Sequence, residues 1–257
     1  MRIYTAYLKK TLLSPITYIS VLGVALVCLF GCTTGVGNVS SGVFDAFNVM
    51  LDLSSYRKFI LFFASLPFVS CFAQEWSQGT PTQIIVRSNA KSYIAAHIII
   101  TFVSAFLTCL IGILLCIGLF CLKYPFYPIS FTNQYSEPFL KLLNSKETII
   151  QYFIFRSVNF SFSIAAWSLS GLALSSIFLN TFMAVCAPLV FSYIIEMITI
   201  ESSVLPNLWH LSLSYTTISE NTWIAEAYII LSFSVLSIIF SLIFRQFAKR
   251  RIANELH

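Results

Sequence analysis

The sequence predicts an all-α polytopic membrane protein with six transmembrane helices, an amphipathic N-terminal interfacial helix and a short cytoplasmic helix between the second and third spans. Composition is the first reason. Of 257 residues, 58% are apolar and only 10% are charged, against about 45–50% and 25% in soluble domains. The second is patterning, because the charges fall in clusters separated by long uncharged runs, and mean hydropathy reaches +0.84. Charge divided among separate clusters, not gathered in one patch, argues against a nucleic-acid footprint despite the formal net charge of +5. The seven cysteines lie almost wholly inside the apolar runs with no ligand spacing, and read as packing residues.

The whole of 1–257 reads as a single transmembrane domain. Residues 1–14 form the interfacial helix: Ile3, Tyr4, Tyr7, Leu8, Thr11 and Leu12 share a stripe, while Arg2, Thr5, Lys9 and Lys10 lie elsewhere, which suits an anionic leaflet. The first span covers about 15–33 and ends where Gly35, Gly37 and Gly42 enter. Leu29-Phe30-Gly31-Cys32 offers a competing reading as a lipoprotein cleavage site, which the bulky Phe30 fits poorly. Beyond it, Val43, Phe44, Phe47, Met50 and Leu51 recur at helical spacing opposite Asp45, Asn48 and Asp52, which predicts a helix on the outer surface.

The second span, about 58–74, carries Pro67 at its middle, so a kinked helix is expected. The third covers about 92–122, with Pro125 and Pro128 just beyond. The uncharged run from Ser157 to Ile195 is too long for one crossing, so it folds back near Asn180 into spans of about 155–178 and 181–200. The sixth covers about 223–244, anchored by Trp223 and ended by Arg245, and 245–257 is a tail. Lys and Arg are denser in the short segments on the side of the termini, which predicts both termini in the cytoplasm and a cell-membrane location.

The chain carries no phosphate-binding glycine loop, no H-E-x-x-H, no G-x-S-x-G and no paired intramembrane carboxylates on one helix face. It is not expected to be an enzyme or to hold a metal or cofactor. The inward loop 75–91 is the most informative stretch. Thr80 and Gln83 form a capping-box pattern with Pro81 at the first helical position, predicting a short helix over about 81–87 with Ile84, Ile85 and Val86 beside Arg87. Such a helix offers a knob to a cytoplasmic partner, or is simply an amphipathic connector.

With its amphipathic N-terminal helix, six spans, and a loop containing Glu75, Gly79, Arg87 and Tyr93 in that order, the chain resembles the permease subunits of type-2 ABC exporters. The resemblance spans the chain as architecture, and its sequence-specific part is confined to this loop. It implies a second permease subunit, identical or not, and a separate ABC ATP-binding subunit that carries the ATP and Mg. It further implies a coupling helix with Glu75, Gly79, Pro81, Ile84, Ile85, Arg87 and Tyr93 as partner-coupling residues, the exported substrate being an amphiphile such as an antimicrobial peptide, drug or lipid. Where such permeases often carry a lysine four residues past the tyrosine, this chain has His97, read as a packing histidine on an apolar helix.

Glu196 is the acidic residue deepest in a predicted span, and is a candidate path or gate residue. Arg156 is too far along its helix for easy pairing, so Glu196 is expected to face a polar cavity or the outer loop 201–222. The 41 aromatics, 25 of them phenylalanine, could line an exit path for an amphiphilic peptide or lipid, but more often such residues face lipid or pack. The alternative function is a non-transporting membrane immunity, sensing or assembly protein, for which the loop is only a connector.

Overall fold

The computed structural model describes residues 2–35, 43, 47, 50–51, 54–122, 139, 148–202, 205–214 and 221–255, and among these every regular element is a helix. They are α1 (Arg2–Leu12), α2 (Pro15–Gly35), α3 (Ser54–Ser65), α4 (Cys71–Ser77), α5 (Pro81–Ser88), α6 (Ala90–Cys121), α7 (Ile149–Ile177), α8 (Thr181–Glu201), α9 (Leu208–Ser212) and α10 (Thr222–Glu255). Four of them, α6, α7, α8 and α10, are long and apolar enough to cross a membrane, and the pair α1 and α2, bent by 56°, makes a fifth if taken as one span. Among the described residues the chain is therefore all-α, with several helices long and apolar enough to span a membrane.

The second predicted span differs from expectation. Pro67 ends the helix instead of kinking it: α3 stops at Ser65, residues 66–70 are turns, and α4 restarts at Cys71. The proline has no N–H to give Phe63, whose carbonyl instead accepts from the Leu66 amide at 3.3 Å, and the Val69 amide, bonded to the Ser65 carbonyl at 3.3 Å, bridges the turns before α4. The sixth predicted span also differs, because α10 runs through Arg245 and the basic tail to Glu255. Arg251 explains the continuation: it donates to the carbonyls of Ser176 at 3.2 Å and Ile177 at 2.9 Å, satisfying the open end of α7.

Helix α7 is the axis. It packs against α3, α6, α8 and α10, and its apolar stretch is 83% buried, against 28–44% for the other three long helices. Its sequence allows this. Ser163, Ser168, Ser170, Ser175 and Ser176 each return their hydroxyl to a carbonyl three or four residues back in the same helix, so buried hydroxyls need no partner from a neighbour. Small side chains then let backbones approach. At Gly171 a Cβ would lie 2.2 Å from the Ala184 carbonyl oxygen of α8. That carbonyl is the one released by Pro188 four residues on, so the proline of α8 and the glycine of α7 are complementary.

The apolar stripe of α1 turns onto the protein, not only onto lipid. Tyr7 and Thr11 are buried and the helix packs on α6. Val43, Phe47, Met50 and Leu51 are helical and buried, as their spacing predicts, whereas Phe44, Asp45, Asn48 and Asp52 lie outside the described residues. Pro125 and Pro128 lie outside them too. Leu29 to Cys32 fall inside α2. Both terminal helices sit at one end of the bundle: α1 reaches Glu75, and the guanidinium of Arg251 lies 5.9 Å from the neighbouring Trp76 ring.

Candidate functional site

Two buried carboxylates organise the two ends of the bundle. At the end holding the termini, Glu75 on α4 is 5% exposed. Its Oε2 accepts from the Tyr93 hydroxyl at 2.8 Å and the Tyr7 hydroxyl at 2.9 Å, and stands 3.2 Å from His97 Nε2. Because a carboxylate only accepts, the imidazole donates through Nε2–H. Its Oε1 accepts from the Cys71 thiol at 3.4 Å and lies 4.0 Å from the exposed ammonium of Lys10. One carboxylate thus fastens α1, α4 and α6 together.

The surroundings are aromatic. His97 is fully buried and has the rings of Tyr7, Phe68, Phe72, Tyr93 and Phe244 around it. Burial alone would raise the carboxyl pKa of Glu75, but the hydrogen bonds from His97, Tyr93 and Tyr7 together outweigh it and hold Glu75 below the usual carboxylate value. Burial first, and the Glu75 charge second, push the Tyr7 hydroxyl up, so it remains a donor across the physiological range.

The geometry that follows Glu75 is set by two corners. Gly79 has φ +68°, and the amides of Gly79 and Thr80 bond back to Trp76 and Glu75 carbonyls at 3.2 Å, a Schellman closure that ends α4. The predicted capping box does not form. Thr80 is in the helical region and its hydroxyl donates backwards to the Glu75 carbonyl at 3.2 Å, because Schellman closure has already turned the chain. Pro81 does take the first position of α5. The second corner is Asn89, at φ 74°, a conformation that costs a non-glycine residue. Its amide closes α5 onto Ile85 at 2.8 Å and its side chain accepts the Lys91 amide, opening α6.

Between these corners, α5 faces opposite to the expected way in part. Ile85 is buried and Ile84 packs on the core, so they are not the knob. The exposed face is Thr82, Gln83, Val86 and Arg87, with Val86 at 78%. The helix is short enough that burying Pro81 and Ile85 leaves the intervening residues outward. Glu75, Tyr93 and His97 are brought into one cluster, while Gly79, Pro81, Ile84, Ile85 and Arg87 shape the adjoining turn and helix.

At the opposite end, Glu196 on α8 is neither in a polar cavity nor bonded directly to the outer loop. Its Oε1 accepts from Arg57 Nη2 at 2.8 Å and its Oε2 from Lys58 Nζ at 2.7 Å, both from α3. Arg57 is 3% exposed, stacks 3.6 Å from the Trp209 ring centre and donates to Ser212 at 2.8 Å, and Lys58 also donates to Ser192 at 3.0 Å. Segment 205–214 is therefore tied in through Arg57. Next to this triad a groove of about 700 Å³ runs between α3 and α8, walled by Phe59, Phe62, Phe63, Leu189, Tyr193 and Ile194 with Lys58 at its head.

No family model, curated protein or solved structure matches the chain.

Sequence reading missed Tyr7, Lys10 and Cys71 at the first cluster, and Arg57, Lys58, Trp209 and Ser212 at the second. It also passed over Glu226, buried on α10 and bonded to Asn159 of α7 at 2.7 Å. For Tyr7 the available signal was a stripe that carries the hydroxyls of Tyr4, Tyr7 and Thr11 among its apolar residues, and for Arg57 two adjacent cations near the level of a lone acid. Among the described residues no group of His, Cys, Asp and Glu is arranged to hold a metal.

Proposed function

We propose that this chain is the membrane-embedded permease subunit of an ATP-driven exporter of amphiphilic substrates, with ATP and Mg handled by a separate ATP-binding subunit. In this reading α2, the broken α3–α4, α6, α7, α8 and α10 make six crossings of a cell membrane, with both termini in the cytoplasm. The carrying observation is the short helix α5, held between the Gly79 and Asn89 corners with Thr82, Gln83, Val86 and Arg87 facing outward, directly ahead of α6.

The mechanical logic follows from connectivity. A partner that grips the outward face of α5 and moves on ATP binding pushes the base of α6 through a one-residue corner. Glu75 spreads that push, because the same carboxylate holds Tyr93 and His97 of α6 and Tyr7 of α1. The groove between α3 and α8 and the exposed apolar residues beside it suit a second permease subunit or an amphiphile.

The test is to purify the full chain gently from its native membranes and assay for co-purifying ATP hydrolysis. Val86→Asp combined with Arg87→Glu is expected to remove at least nine-tenths of it (about a tenfold drop, roughly 1.4 kcal/mol of binding) while leaving chain yield unchanged. If wild type brings no ATPase, or the variant keeps it, the exporter reading is wrong and a non-transporting role takes its place.

A further inference from the structure

Away from both carboxylates, three cations converge between the start of α6 and the last third of α10. Lys91, Arg245 and Lys249 line a pocket of about 260 Å³ with Ile94, Ala95 and Ile98. Arg245 and Lys249 are one turn apart on α10, and Lys91, Ile94 and Ile98 share a face of α6, so the convergence is fixed by helical register. The lining contains no carboxylate, and among the described residues none of the three cations has an acidic partner. A second cavity of about 360 Å³ adjoins it, sharing Ile98 and Arg245. It continues between α6 and α10 over Leu169 of α7, walled by Phe102, Val103 and Leu242.

We infer that this composite cavity binds one anionic phospholipid, its phosphate held by Lys91, Arg245 and Lys249 and one acyl chain lying in the groove between α6 and α10. The charges call for an anion. The groove decides which anion. From Ile94 to Val103 the wall rises about 14 Å along α6 at 1.5 Å per residue, and apart from Arg245 at its mouth and two serines it is apolar, so it accepts a hydrocarbon chain and offers a free phosphate nothing. The site needs only α6, α7 and α10 in a bilayer, and it stands whether or not the exporter reading does.

Native mass spectrometry of the full chain in detergent, titrated with phosphatidylglycerol, phosphatidylcholine or inorganic phosphate, tests this. Phosphatidylglycerol adducts are expected to exceed phosphatidylcholine adducts about tenfold, and the triple variant Lys91→Gln, Arg245→Gln, Lys249→Gln to lose that preference. The charge-keeping triple Lys91→Arg, Arg245→Lys, Lys249→Arg is expected to retain it, which separates loss of charge from loss of folding. Leu242→Trp, on the exposed wall, narrows the groove with all charges intact and is expected to reduce phosphatidylglycerol binding severalfold. Retained preference in the Gln triple, unchanged binding in Leu242→Trp, or competition by inorganic phosphate at lipid concentrations would each overturn the proposal.

Discussion

Removing the Glu75 carboxylate is the sharpest perturbation available. Glu75→Ala leaves the Tyr7 and Tyr93 hydroxyls and His97 Nε2, now at 2.9, 2.8 and 3.2 Å from an acceptor, buried without one. A hydrogen bond to a charged group contributes about 1.5–3 kcal/mol, and a donor stranded by deletion of its partner costs about 1–3 kcal/mol. Three bonds to one oxygen share a single charge and do not add, so the expected loss is about 3–5 kcal/mol. Tyr7→Phe and Tyr93→Phe should each cost about 1.5–3 kcal/mol alone, and much less on top of Glu75→Ala. The assay is reversible denaturation in mixed micelles, followed by helical signal and by hydrogen exchange in α1. Acid has a defined sign here. The folded carboxyl titrates below its ordinary value of 4.5, so its stabilisation is complete above that value and disappears as pH falls through the lower folded value. Stability should be flat in this respect from neutral pH down to about 5 and fall below it, with Glu75→Gln abolishing that acid limb. A Glu75→Ala protein within about 0.5 kcal/mol of wild type would refute the latch.

Two further outcomes follow from packing and charge. Gly171→Ala drives a methyl into the Ala184 carbonyl, and should cost about 1–3 kcal/mol, whereas Gly118→Ala, with open space around it, should change the same unfolding midpoint little. Arg57→Ala leaves Glu196 with one cation and unstacks Trp209, and should cost about 3–5 kcal/mol, while Lys58→Ala, whose side chain is 22% exposed, should cost clearly less in the same denaturation series.

Legibility in the sequence tracked the kind of physics involved. Long uncharged runs located α6, α7 and α8 because hydrophobic length is a local property. Glu75 and Tyr93 were named together only through the resemblance of their loop to exporter permeases, as partner-coupling residues, and the bond between them at 2.8 Å was not anticipated. Tyr7 was missed because its partner is 68 positions away and its own stripe looked complete without one. Arg57 and Lys58 escaped for a different reason: they lie at the start of the predicted second span, about 58–74, and a residue at a boundary is not read as a ligand for Glu196. The continuation of α10 past Arg245 was hidden likewise. A basic cluster usually marks a span's end, but here Arg251 completes the end of α7, and that partnership exists only after folding. The order of burial was written in the serines of α7, but hydropathy ranks them as less apolar than the exposed faces of α10, so composition pointed the wrong way.

Those serines have one more implication. With their hydroxyls turned back on their own helix, they offer little to a polar visitor, and α7 fills the central axis where a conduit through a single copy would have to run. Under the exporter role proposed above, a solute would therefore travel along its flank, with the remaining wall borrowed from a neighbour.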